Sequence, residues 1–172
     1  MKKPNENDIL ETTLSIAEKG YPEAYQFLLN AYKESPGFGP QTFYFLACLA
    51  PEPGAALAWL RKAIQENNWW YRPEVLEDDD LAVLKNDAAF LSLKVISDER
   101  YADAVSKSRA IFSWEKKKTD NLFLAIHGNT QNSAQAREDW EPIIEENGQW
   151  QIETVQSAEP DGYGTYRWSY DS

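Results

Sequence analysis

One cysteine, one histidine and one methionine are spread over 172 residues. The lone Cys48 excludes an internal disulfide framework and any thiolate-only metal cluster. With a single histidine beside it, a zinc site of the usual ligand types is not expected either. The residue inventory therefore predicts neither a metal nor a cofactor. Positive charge is scarce: 17 Lys and Arg stand against 28 Asp and Glu, a net of −11. Backbone phosphates need a basic stripe, so nucleic acid is excluded as a partner. No apolar run approaches the roughly 18–20 residues of a membrane span. The start, Met1-Lys2-Lys3-Pro4-Asn5-Glu6-Asn7-Asp8, carries two lysines with no apolar run behind them and does not read as a secretory signal. These absences predict an acidic, soluble, cytoplasmic protein that makes no membrane contact.

Large rings are plentiful instead. Seven Trp, nine Tyr and seven Phe are more than a disordered chain carries, and the length suits one compact domain or two small ones. The charge is uneven. Residues 121–172 hold two of the 17 basic and nine of the 28 acidic residues, so more than half of the net charge falls there. Composition changes at the same place, from helical patterns to β-rich runs, glycines and aromatics. Glu115-Lys116-Lys117-Lys118-Thr119-Asp120 between them reads as a linker. The expected organisation is a helical domain over 5–112, a linker over 113–120 and a small α/β unit over 121–172.

The helical part contains an internal repeat. Ala24, Leu28 and Ala31 recur 32 residues later as Ala56, Leu60 and Ala63, each set on one helical stripe. The small alanines let a second helix approach, and the leucine fills the gap between them. Pro22 and Pro53 mark the helix starts, where a missing N–H costs nothing. Each repeat helix follows another apolar-periodic segment, Ile9 to Ala17 and Phe43 to Leu49, which predicts two helix hairpins. This pattern resembles the tetratricopeptide repeat family, over about residues 8–68, although Asn68 stands where the closing proline of that family usually falls. The resemblance implies a protein or peptide partner for the helical surface, and basic ones would suit its acidity.

Glu77-Asp78-Asp79-Asp80 precedes Leu81, Val83 and Leu84, and Asn86-Asp87 precedes Ala88 to Leu93, so both read as caps of short helices. A cation site on Asp78 and Asp80 lacks both the glycine turn and the downstream glutamate of a calcium loop. Trp69-Trp70-Tyr71 is expected to be packed inside, and a last helix is expected from Asp98 to Phe112.

Leu122 to Ile126 is a continuous apolar run, short enough to be a buried strand. His127-Gly128-Asn129 ends it. Ser133 opens a helix running to Glu146, with Ala136, Trp140, Ile143 and Ile144 on its inner face and a kink at Pro142. Asn147-Gly148 closes that helix, and Trp150, Ile152 and Val155 alternate as a second strand. Strand, helix and strand make a βαβ unit with a parallel pair.

Leu124-Ala125-Ile126-His127-Gly128-Asn129, the helix with Trp140 and the strand to Gln156-Ser157 resemble the opening of the α/β-hydrolases, nearest the small carboxylesterases and phospholipases. Tyr163-Gly164-Thr165-Tyr166-Arg167-Trp168 is similar to the aromatic loop that follows. The resemblance covers about the first third of such a domain, so the sheet would be incomplete. It implies that the Asn129 N–H is half of an oxyanion hole, with Gly128 allowing close approach and His127 bracing the turn. No Gly-x-Ser-x-Gly elbow is present, and the only histidine precedes every serine from Ser133 onward. No catalytic residue is therefore assigned in this chain. A lone βαβ unit cannot bury its own apolar faces. The chain is then a piece of a longer hydrolase, or a short protein whose strands dock on its helices or on a second copy, as in a homodimer, or one whose tail wraps the helices. The first implies the inactive N-terminal portion of a serine ester hydrolase; the rival function is a helical-repeat interaction module.

Overall fold

The computed structural model describes residues 5–35, 37–113, 119–145 and 149–169. Glu115 to Lys118 of the expected linker, the expected helix end from Glu146 to Gly148 and the terminal Tyr170 lie outside them. The chain divides into two compact units, Met1–Glu99 and Arg100–Ser172.

The first unit is helical. Helix α1 (Glu6–Ala17) opens with a capping box, in which Asn5 Oδ1 accepts from the Asp8 N–H at 2.8 Å and Asp8 Oδ2 accepts from the Asn5 N–H at 3.2 Å. Helices α2 (Tyr21–Glu34), α3 (Pro40–Cys48) and α4 (Pro53–Arg61) each carry proline in the first turn. Helix α1 packs on α2, and α3 on α4. Ala24, Leu28, Ala56, Leu60 and Ala63 are buried, and Ala31 is partly buried. Burying alanine at these points brings backbones close, so the bulk comes from Leu10, Leu28, Leu46, Phe43 and Leu60. The Glu6 carboxylate accepts from the Gly39 N–H at 2.8 Å and from the Thr42 hydroxyl at 2.6 Å, which satisfies the start of α3 from another helix. Helix α4 passes into a π-helical turn, Lys62–Glu66, and the chain leaves through Asn68 at φ 58°. Asparagine tolerates that left-handed backbone, which proline cannot adopt. Trp70 and Tyr71 are buried and Trp69 partly so, which makes the aromatic triplet packing. The Lys62 ammonium lies 5.3, 5.9 and 5.7 Å from the ring centres of Tyr32, Phe43 and Trp59.

Two 3₁₀ turns follow, Pro73–Glu77 and Asp79–Leu84. Asp78 caps the second by accepting from the Asp80 N–H at 2.9 Å. Asp87 accepts from the N–H groups of Ala89 and Phe90 at 2.8 and 3.0 Å, at the start of α5 (Ala88–Lys107). Helix α5 corrects the expected short helix over 88–93 and last helix over Asp98–Phe112. One 20-residue helix replaces both, and it stops before Ile111–Phe112, which form strand β1. Ser97 is buried on α5, where its hydroxyl accepts from the Tyr71 N–H at 2.8 Å and donates to the Tyr71 carbonyl at 3.0 Å.

The second unit contains the βαβ element: β2 (Asn121–Ile126), α6 (Ser133–Glu145) and β3 (Trp150–Gln156). Strands β2 and β3 are parallel, Asn121 beside Trp150 through Ile126 beside Val155. Strand β1 adds antiparallel on the far side of β3, giving the order β1-β3-β2. Phe123, Ala125 and Ile152 face α6, where Ala136 and Ile144 are buried. Trp140 rests on Phe123, with ring centroids 5.3 Å apart, although it is 43% exposed. Ile143 is corrected as an inner-face residue. It is 57% exposed, because a helix of this length on three narrow strands covers little more than one stripe. Pro142 lies inside the helix. The segment expected as an aromatic loop is a hairpin, β4 (Glu159–Gly162) and β5 (Thr165–Arg167), turning through Gly164 at φ 76°.

Candidate functional site

At the carboxyl end of the parallel strands, where ligand crevices form in open α/β sheets, β2 ends and His127-Gly128-Asn129 turns the chain toward α6. His127 is buried, whereas Gly128 and Asn129 are exposed. His127 Nε2 accepts from the Ser157 N–H at 3.2 Å and lies 3.1 Å from Gln156 Nε2. A ring nitrogen that receives a backbone N–H carries a lone pair, so the ring proton belongs on Nδ1. Nδ1 then donates to the Gly128 carbonyl at 2.7 Å. The Gln131 N–H reaches the same carbonyl at 3.3 Å.

This pair of bonds fixes a direction. The Gly128 carbonyl and the Asn129 N–H belong to one planar trans peptide and point opposite ways. Holding the carbonyl toward His127 and Gln131 aims the Asn129 N–H away from them. Every neighbouring N–H is spent inside the protein: Gly128 on Gln131 Oε1 at 2.8 Å, Thr130 on the Tyr166 carbonyl at 3.0 Å and Asn132 on Gln135 Oε1 at 3.0 Å. Ser133 N–H likewise donates to Gln156 Oε1 at 2.9 Å. Among the described residues the Asn129 N–H has no acceptor. Gly128 admits this geometry because a Cβ there would meet Gln131 Oε1 at 2.9 Å and displace it.

Thr130 follows at φ 66°, a left-handed backbone that is strained for a β-branched residue, by about 1–2 kcal/mol. The β4–β5 hairpin holds it there. Tyr166 pairs with the turn through both its carbonyl and its N–H, the latter donating to the Gln131 carbonyl at 2.8 Å. Trp168 donates from its backbone N–H to Asn129 Oδ1 and from its indole Nε1 to the His127 carbonyl, both at 2.9 Å. Its ring stacks on His127 with centroids 5.0 Å apart. Gln131, Gln156, Ser157 and Trp168 were not singled out as site residues, since their roles arise from pairings across many positions. No group of three or more His, Cys, Asp or Glu is placed to hold a metal among the described residues.

The chain matches a family described as A/B hydrolase-like, N-terminal domain, over residues 5–105. It belongs to that family. The match lies on the helical residues, so it joins the helical part to a hydrolase-like family independently of the strand-and-turn pattern after residue 121. A crystal structure of an uncharacterized protein from Bacillus cereus ATCC 10987 is similar, with a TM-score of 0.58 and 27% identity over 96% of this chain. The chain spans 55% of the length of that protein. No curated protein matches. No helix among the described residues is long and apolar enough to cross a membrane.

Proposed function

We propose that the chain forms the N-terminal part of a serine ester hydrolase, in which the Asn129 N–H supplies one oxyanion donor. The observation that carries this reading is the isolation of that N–H, aimed outward by a pinned peptide at the carboxyl end of β2. Negative charge that develops on an acyl carbonyl oxygen is stabilised by a donor aimed before the reaction begins. The second donor of such a site follows the nucleophile, on a strand-to-helix elbow. Among the described residues β2 pairs with β3 alone. Its outer edge is therefore where a further strand would bring that elbow beside Asn129. These 172 residues supply no nucleophile, acid or base, so they are inactive by themselves.

The test is turnover of p-nitrophenyl acetate. Residues 1–172 are expected to give none above background. A chain continued through a Gly-x-Ser-x-Gly elbow is expected to turn over, and to lose activity with a serine-directed phosphonate. Phosphonate-sensitive turnover by residues 1–172 alone would overturn the reading.

A second reading concerns the helical part. The burial of Ala24 and Leu28 and, 32 positions on, of Ala56 and Leu60 supports a tetratricopeptide-like arrangement presenting an acidic surface to a protein or peptide. A Lys/Arg-rich peptide is expected to bind in low-salt calorimetry and to be released by about 0.5 M salt, where screening is strong. No heat of binding at low salt would refute it.

A further inference from the structure

The turn is gripped from both sides of the peptide whose N–H is left over. On one side the Trp168 ring covers His127 and its indole N–H binds the His127 carbonyl. On the other the Trp168 backbone N–H binds the Asn129 side chain. Between these grips lies the Gly128–Asn129 peptide, and just beyond it Thr130 holds a backbone it would leave if released. Relaxing Thr130 to a negative φ turns the Asn129–Thr130 peptide. The adjoining Gly128–Asn129 peptide is then free to follow through the Asn129 dihedrals, which lets the Asn129 N–H swing inward or bond elsewhere. Tyr166 opposes that with two backbone bonds, but these act on Thr130 and Gln131. On the His127 side the ring is held at Nε2 by the Ser157 N–H and Gln156, and Trp168 adds a bond to the His127 carbonyl and a stacked ring.

We infer that Trp168 is a positioning residue for the donor turn: it holds His127 against the Gly128 carbonyl and so keeps the Asn129 N–H directed outward. The catalytic consequence rests on the proposed function above, whereas the positioning itself does not. Trp168 touches no reacting atom. Its effect passes through His127, which fixes the peptide plane.

Amide exchange and ring ¹⁵N shifts, measured by NMR on the 172-residue chain, test the positioning in Trp168→Phe and Trp168→Ala. Phenylalanine keeps a ring over His127 and loses the indole donor; alanine loses both. Exchange at Gly128 and Thr130 is expected to quicken about tenfold in the Phe variant, the effect of one lost hydrogen bond, and further in the Ala variant. The Asn129 amide resonance shifts, and the His127 Nδ1 proton loses its protection. Ala125, Thr154 and the α6 amides keep theirs. Unchanged exchange at Gly128 and Thr130 in both variants overturns the inference. So does equal loss at Ala125, Thr154 and α6, which would make Trp168 a residue of the fold alone. In a catalytically complete chain, Trp168→Phe is expected to lower kcat with KM unchanged. Absence of ester turnover there refutes the proposed function, and the exchange result still decides the positioning.

Discussion

Tyr44 donates its hydroxyl to Asp78 Oδ2 at 2.7 Å, and that bond, with the Asp80 N–H, holds the Asp78 carboxyl below the usual carboxylate range. Burial and the same carboxylate push the Tyr44 phenol well above its ordinary value. A carboxylate with a depressed value in the fold stabilises it above the unfolded value, about 3.9, and that contribution is lost as pH falls through the folded one. Tyr44→Phe is therefore expected to cost about 1 kcal/mol at pH 7 after solvent screening. The difference from wild type should shrink toward zero on acidification below about pH 4; urea melts at a series of pH values measure it, and a pH-independent difference would refute the linkage. Cys48 sits beside Tyr44, and burial pushes its thiol up to about 12, so at neutral pH it stays a protonated, poorly nucleophilic packing group.

Elements in this molecule are joined by side chains from their neighbours as much as by their own patterns. Gln156, the last residue of β3, accepts from the first N–H of α6 through Oε1 and faces His127 through Nε2. Gln156→Leu fills the volume but leaves that helix N–H without its acceptor and His127 Nε2 with the Ser157 N–H as its remaining donor. It is expected to destabilise the second unit by about 1–3 kcal/mol, read as loss of exchange protection in the first turn of α6. What was legible in the sequence has local causes: apolar spacing for α1 to α4, carboxylates at Asp78 and Asp87, and a five-residue apolar run answered by a second strand for the parallel pair. What was not legible depends on distant partners. Ile111-Phe112 favour a strand by residue type but are too short a run to be read as one, and they become β1 because β3 offers an edge. The break of α5 from the expected pieces is similar, since nothing between Leu93 and Asp98 stops a helix. At the site, His127-Gly128-Asn129 stood out by its turn chemistry, but the isolation of one N–H emerges only when Tyr166 and Gln131 have taken the others.

For the whole molecule, charge and exposed apolar surface pull in opposite directions. The net of −11 keeps copies apart at neutral pH, and the sequence pI is about 4.6. On the sheet face opposite α6, Leu122, Leu124 and Ile126 are 45%, 42% and 58% exposed, and their strand carries no charge to guard its edge. Turbidity is therefore expected to rise as pH approaches about 4.6, where repulsion vanishes. Leu122→Gln should lessen it while changing stability by no more than about 0.5 kcal/mol. Turbidity equal in both proteins would show that the face plays no part. The pairings of the second unit also set an order in time. Helix hairpins of the first unit join near neighbours, but residue 111 meets 156, residue 121 meets 150, and Asn129 waits for Trp168. Each such closure orders a long stretch of chain before any contact rewards it, which slows folding. The donor turn is consequently completed only once the hairpin has docked, since Asn129 meets Trp168 across 39 residues. A change in the hairpin is thus felt twice, in how soon the turn is completed and in how firmly it is then held.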